Sequence, residues 1–96
     1  MKRNKRDTSV ALKYNEENDR APKVVAKGHG ESAQKIREAA AQNKIPVHRD
    51  DGLVELLEQI DIDSEIPPQL YAAVAEILCW IYKANNSLGK DEVTTE

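Results

Sequence analysis

Between Thr8 and Gly28 two short β-prone runs flank six consecutive polar residues, Asn15 to Arg20. The pair restricts the chain to folds with a small sheet that begins almost at the first residue. In the first run, Val10, Leu12 and Tyr14 point one way and Ser9, Ala11 and Lys13 the other. The second run, Pro22 to Gly28, is β-branched at its centre and stops at a glycine. The polar connection has no apolar anchor, which predicts a solvated, mobile loop. Nothing upstream is long enough to cover the first strand. Its edge, at Thr8, Val10 and Leu12, is therefore expected to stand open to a partner's strand.

Downstream the period changes. Glu31 to Asn43 reads as a helix with Ala33, Ile36 and Ala40 on one stripe and Asn43 as its cap. Lys44 to His48 predicts a third strand, held to an edge by Pro46. Asp50, Asp51 and Gly52 prepare a helix start, and Leu53, Leu56, Leu57 and Ile60 follow at helical spacing. Asp61 to Glu65 reads as a polar loop. Pro67 and Pro68 open the last helix, where first-turn N–H groups lack helical partners in any case. On it Leu70, Val74, Ile77 and Ile81 form a core stripe, with Tyr71, Ala75, Leu78 and Tyr82 along one flank. Residues 85–96 are polar and are expected to be a disordered tail. The reading is a single small α/β domain: a short mixed sheet of three strands, a fourth missing upstream, surrounded by three to four helices. The domain spans residues 8–84, after a flexible basic tip at residues 1–7.

At 96 residues the core is small. No apolar run approaches the roughly 20 residues a membrane span requires, and no apolar segment follows the basic opening to make a secretory signal. One cysteine, Cys79, excludes an internal disulfide and suits a reducing cytoplasm. The chain totals −3; four cations and no anion in the first six residues leave −7 on residues 7–96. An acidic body argues against nucleic-acid binding, and the basic tip reads as a solvated tail.

Several segments together carry a resemblance. Val10-Ala11-Leu12-Lys13-Tyr14, a polar loop, then Ala21-Pro22-Lys23-Val24-Val25-Ala26-Lys27-Gly28 resemble the cytoplasmic domain of the FlhB and YscU-EscU-HrcU family. Gln34 to Glu38, Lys44 to Val47, Ile66-Pro67 and Leu70 to Leu78 follow in the family's order, so the resemblance covers residues 4 to 84. It implies a small central sheet among helices and a role as an export-switch protein of flagellar or type III secretion, here as a free-standing relative. It further implies that one strand comes from just before a cleavage motif, Asn-Pro-Thr-His. The matching positions are Asn4, Lys5, Arg6 and Asp7, where only the asparagine is kept. In the family the asparagine side-chain amide attacks its own backbone carbonyl, which needs a tight turn to hold the reactive geometry. Lys5 frees that turn and Asp7 puts an anion where the histidine would stand, so self-cleavage is not expected.

By the same resemblance, Ala21, Pro22, Ala75 and Leu78 would form a shallow apolar patch that recognises export substrates. Ala75→Asp and Leu78→Asp are then expected to leave the fold intact and abolish substrate binding. Half-buried packing is the plainer reading of Ala75 and Leu78. The implied partners are export-gate membrane proteins (the FlhB transmembrane half and an FlhA-like protein), with the membrane reached only through them, and export substrates. A homodimer through the open edge is the other use of the same strand. The competing function is a cytoplasmic regulatory or scaffold paralogue without a direct part in export.

Sharper chemistry fails on spacing. Gly28-His29-Gly30 lacks the third glycine and the Lys-Ser/Thr of a phosphate loop. A calcium loop starting at Asp61 would need glycine and glutamate where Ile66 and Ala72 stand. His29, His48 and Cys79 match no zinc pattern, and Cys79 reads as a small packing residue. No metal, cofactor or catalytic set is expected, and the chain reads as a binding protein rather than an enzyme.

Overall fold

A computed structural model describes residues 7–15, 19–85 and 92–96, with 80–85 described in backbone course only. Two strands, β1 (Thr8–Lys13) and β2 (Lys23–His29), pair antiparallel as the alternation predicts. The register slips between Ala11 and Leu12, so Leu12 faces Val24 and Val25 bulges outward, partly exposed. The connecting loop is closed by reciprocal bonds, Asp19 N to Asn15 O at 2.7 Å and Asn15 N to Asp19 Oδ2 at 3.0 Å. The middle of the predicted mobile loop lies outside the described residues.

Helix α1 (Glu31–Gln42) covers one face of the sheet, and its buried Ala33 and Ala40 let it approach closely. The approach is closest at Gly28, where a Cβ would sit 2.6 Å from that of Ser32. Asn43 caps α1, its backbone N–H and side-chain Nδ2 both donating to Ala39 O. Beyond it, Ile45 N donates to Ala40 O and Lys44 N to Ala41 O, the paired bonds of a Schellman ending. Helix termination therefore consumes Lys44 and Ile45, and β3 is only Val47–His48 rather than Lys44–His48. Lys44 adopts the left-handed conformation, φ 57°. A side chain there is strained, so Lys44→Gly is expected to raise stability by about 0.5–1 kcal/mol in urea unfolding.

Helix α2 (Asp51–Leu57) is capped by Asp50, whose Oδ1 accepts from Leu53 N at 3.0 Å. Leu53 and Leu57 are buried as expected, but Val54 completes the stripe and Leu56 is half exposed. A 3₁₀ turn, Pro68–Leu70, leads into α3 (Tyr71–Asn85). Leu70, Val74, Ile77 and Leu78 of this last segment join Val10, Leu12, Ala21, Val24, Leu53, Val54, Leu57 and Ile66 in one core. That core lies on the sheet face opposite α1. The predicted Ile81 and Tyr82 lie outside the described side chains.

The tail departs from expectation. Glu92–Thr95 forms a fourth strand, β4, antiparallel to β1 and parallel to β3, giving the order β2-β1-β4-β3. The sheet is mixed and four-stranded, as the α/β reading requires, but its fourth member comes from the end of the sequence rather than from upstream. Val10, Ala11, Leu12 and Lys13 pair with Thr95, Thr94, Val93 and Glu92. The β1 edge at Val10 and Leu12 is thus occupied within the chain instead of open. The tail reaches this position because Val93-Thr94-Thr95 is a β-branched run whose three side chains are all buried. The basic tip, residues 1–6, lies outside the described residues, as do Asn4, Lys5 and Arg6 of the degenerate motif. Asp7 follows them, and its carbonyl accepts from Gly30 N at 2.7 Å.

Candidate functional site

Three separate segments converge on one groove. Tyr14 leaves the end of β1, Arg20, Ala21 and Pro22 lead into β2, and Tyr71, Ala75 and Leu78 lie at i, i+4 and i+7 on α3. Together they line an open depression of about 180 Å³. All four residues singled out in the sequence for an apolar patch are therefore neighbours, although 53 positions separate Pro22 from Ala75.

The members differ in how they are held. Ala21 is 2% exposed and Leu78 7%, so both belong to the floor and to the core beneath it. Ala75 and Tyr71 stand at the surface, while Pro22 and Tyr14 are half-buried. The floor is anchored by Ile66 N, which donates to Pro22 O at 2.9 Å. Arg20 rises from the rim, 91% exposed, with Nε 3.9 Å from Glu65 Oε2, too loose and solvated a pair to hold it. Tyr14, Arg20 and Tyr71 were not picked out from the sequence as site residues. Tyr71 could have been found from its helical spacing to Ala75 and Leu78, and Tyr14 from its place at the strand end. Arg20 had no local signal.

The groove is shallow and mostly apolar. It falls below the roughly 300 Å³ floor of small-molecule sites and suits one or two apolar side chains of a peptide. Two tyrosines supply large contact area with polar tips, and Arg20 adds a solvated cation, loosely paired with Glu65, at the rim.

Elsewhere ionisable groups serve the fold. Thr8 Oγ1 lies 3.0 Å from His29 Nδ1, and His29 Nε2 lies 3.1 Å from Glu58 Oε2. That oxygen is buried and has no well-directed hydrogen bond among the described residues. Thr8 is only 5% exposed, so its hydroxyl offers no nucleophile to a substrate. Lys27 Nζ donates to Glu58 O at 3.0 Å and Ile60 O at 2.8 Å, closing the carbonyl end of α2. His29, His48 and Cys79 are not gathered into a ligand set: among the described residues no group of three His, Cys, Asp or Glu could hold a metal. Cys79 is exposed on α3 rather than packed inside. No helix among the described residues is long and apolar enough to cross a membrane.

Comparison with known proteins agrees with this fold. The model of the FlhB HrpN YscU SpaS family matches residues 3–81. The YlqH protein of Bacillus subtilis (strain 168) is 42% identical over 80 residues, covering 83% of this chain and 86% of YlqH. The flagellar biosynthetic protein FlhB of Escherichia coli (strain K12) is 49% identical over 76 residues, which is 78% of this chain. The chain spans only 20% of that FlhB's length. Among solved structures, the cytoplasmic domain of FlhB from Shewanella putrefaciens superposes with a TM-score of 0.74 at 32% identity, over 84% of this chain and 66% of that one. The PscU C-terminal domain gives 0.72 at 29% identity, over 77% and 95%. The chain belongs to the FlhB HrpN YscU SpaS family of flagellar and type III export-switch proteins.

Proposed function

We propose that this chain is a non-enzymatic, FlhB-like component of flagellar or type III protein export, holding export substrates by an apolar anchor in the groove beside α3. The observation that carries the reading is the convergence of Ala21, Pro22, Ala75 and Leu78 with Tyr14 and Tyr71 on one apolar depression. The groove offers a substrate peptide shape and apolar contact, and it contains none of the activated groups that bond-breaking requires. Family membership supports docking on the membrane-embedded export gate at its cytoplasmic face as part of the same proposal. Docked there, the groove would meet arriving cargo.

Ala75→Asp is the direct test, because Ala75 is at the surface and its replacement places a charge at the mouth of the groove without entering the core. Binding of a flagellar export substrate, measured by calorimetry, is expected to fall at least tenfold with the melting temperature unchanged. Unchanged affinity in the folded variant would overturn the proposal.

The self-cleavage chemistry is proposed to be lost. Lys5 and Asp7 stand where a turn-forming proline and a histidine would be needed, so the sequence lacks the residues that would hold the Asn4 amide against its own carbonyl. Intact mass spectrometry after prolonged incubation at neutral pH is expected to show no cut between Asn4 and Lys5.

A further inference from the structure

Three departures from an ordinary hairpin meet at one end of β1 and β2. Lys13 and Lys23 stand directly opposite one another in the register, and like charges on one rung weaken a strand pair. The register slip leaves Val25 as the extra residue of a bulge, which turns a β-branched side chain outward to 38% exposure. Lys13, Lys23 and Val25 then line an open cleft of about 250 Å³ with Asn15 and Asp19. Lys13 alternates with Leu12 and Tyr14, so this cleft opens on the α1 face of the sheet and the groove beside α3 on the other. None of the three side chains belongs to the core. The two cations are incompletely neutralised. Asp19 Oδ1 lies 3.8 Å from Lys23 Nζ, and its Oδ2 accepts from Asn15 N at 3.0 Å in closing the loop. Lys13 has no carboxylate within ion-pair distance among the described residues, although Glu92 stands opposite it on β4.

We propose that this cleft is a docking site for one carboxylate side chain of a partner protein, held between the Lys13 and Lys23 ammonium groups, with a neighbouring aliphatic side chain of the partner laid on Val25. A carboxylate there turns the repulsion across the rung into two attractions, and it competes with Asp19 only for Lys23. Covering Val25 removes apolar surface from water. The charge balance selects the class of occupant. Two lysines and Asp19 leave one net positive charge on the lining, set in a body whose residues 7–96 total −7. The negative body opposes a polyanion or an anionic membrane, whereas an isolated carboxylate among aliphatic residues meets only the local field. The volume suits one or two side chains rather than a larger ligand. The partner segment is therefore a glutamate or aspartate flanked by valine, leucine or isoleucine. The site is independent of the groove beside α3 and stands whether or not that groove holds cargo.

The test titrates the full, isotope-labelled chain at low salt with the capped peptide Gly-Ile-Glu-Ile-Gly, to about 10 mM because one such contact binds weakly. The amide signals of Lys13, Lys23 and Val25 are expected to move, with a Kd in the low millimolar range. Glutamine in place of the peptide's glutamate, or Lys13→Gln or Lys23→Gln in the chain, should each weaken binding about fivefold. Glu92→Gln removes the carboxylate opposite Lys13 and should tighten binding about twofold. Lys13→Gln should also keep or raise the melting temperature, because it relieves the like-charged rung. A fall of about 4 °C or more would mark Lys13 as a structural residue and overturn the proposal. So would unmoved signals, equal affinity for the glutamine peptide, shifts centred on Tyr71 and Ala75, or inorganic phosphate bound as tightly as the peptide.

Discussion

Val93→Asp is expected to unfold the domain, or to lower its melting temperature by on the order of 20 °C. Val93 is 1% exposed, pairs with Leu12 and belongs to the main core. The substitution removes roughly 1.5–3 kcal/mol of apolar burial and adds an unpaired carboxylate in a space closed to water. A loss of about 4 kcal/mol is a large part of the stability of a domain this size, and each kcal/mol moves the transition by about 4–8 °C. If residues 85–96 were a solvated tail, the same change would be silent. Thermal unfolding followed by circular dichroism separates the two outcomes in one measurement.

Leu78→Asp should be nearly as damaging, by about 3–5 kcal/mol in urea unfolding. This corrects the simple view of the patch, in which a charge at either Ala75 or Leu78 would spare the fold. Leu78 is 7% exposed and touches the core from beneath the groove, so a carboxylate there cannot reach water without disturbing α3. Loss of substrate binding in that variant would report unfolding. Only Ala75→Asp, at the surface, isolates recognition. The contrast is itself a measurement: two adjacent groove residues whose charge variants should differ by several kcal/mol in stability.

Much of this was legible in the sequence for physical reasons. The alternation of Val10 and Leu12 against Ala11 and Lys13, the alanine stripe of α1 and the Asp50 cap are local signals, and each element formed where its period and end residues placed it. The groove residues were legible through resemblance, because each lies in a segment that follows the family's order. What could not be read was long-range. Val93-Thr94-Thr95 has strand propensity, but its partners are Leu12, Ala11 and Val10, and no local pattern announces a pairing across nearly the whole chain. Period alone places Leu56 in the core. The sheet instead meets α2 along Leu53, Val54 and Leu57, a stripe rotated by one residue. The sequence places Lys44 in a strand because nothing in its side chain reveals that the helix ending claims its backbone.

The order of the strands also sets a timetable for assembly. Val10 meets Thr95 across 85 positions, and among the described residues β3 has β4 as its only neighbour in the sheet. Closing a loop of that length costs roughly 4 kcal/mol of chain entropy beyond a constant, a cost met only when the final strand docks. On a ribosome, β1, β2 and α1 can associate early, while His48 and Val47 wait unpaired until residues 92–95 have left the exit tunnel. The middle of this sheet is sealed by its last-made piece, so the slow step of maturation should be that late docking rather than formation of the first hairpin.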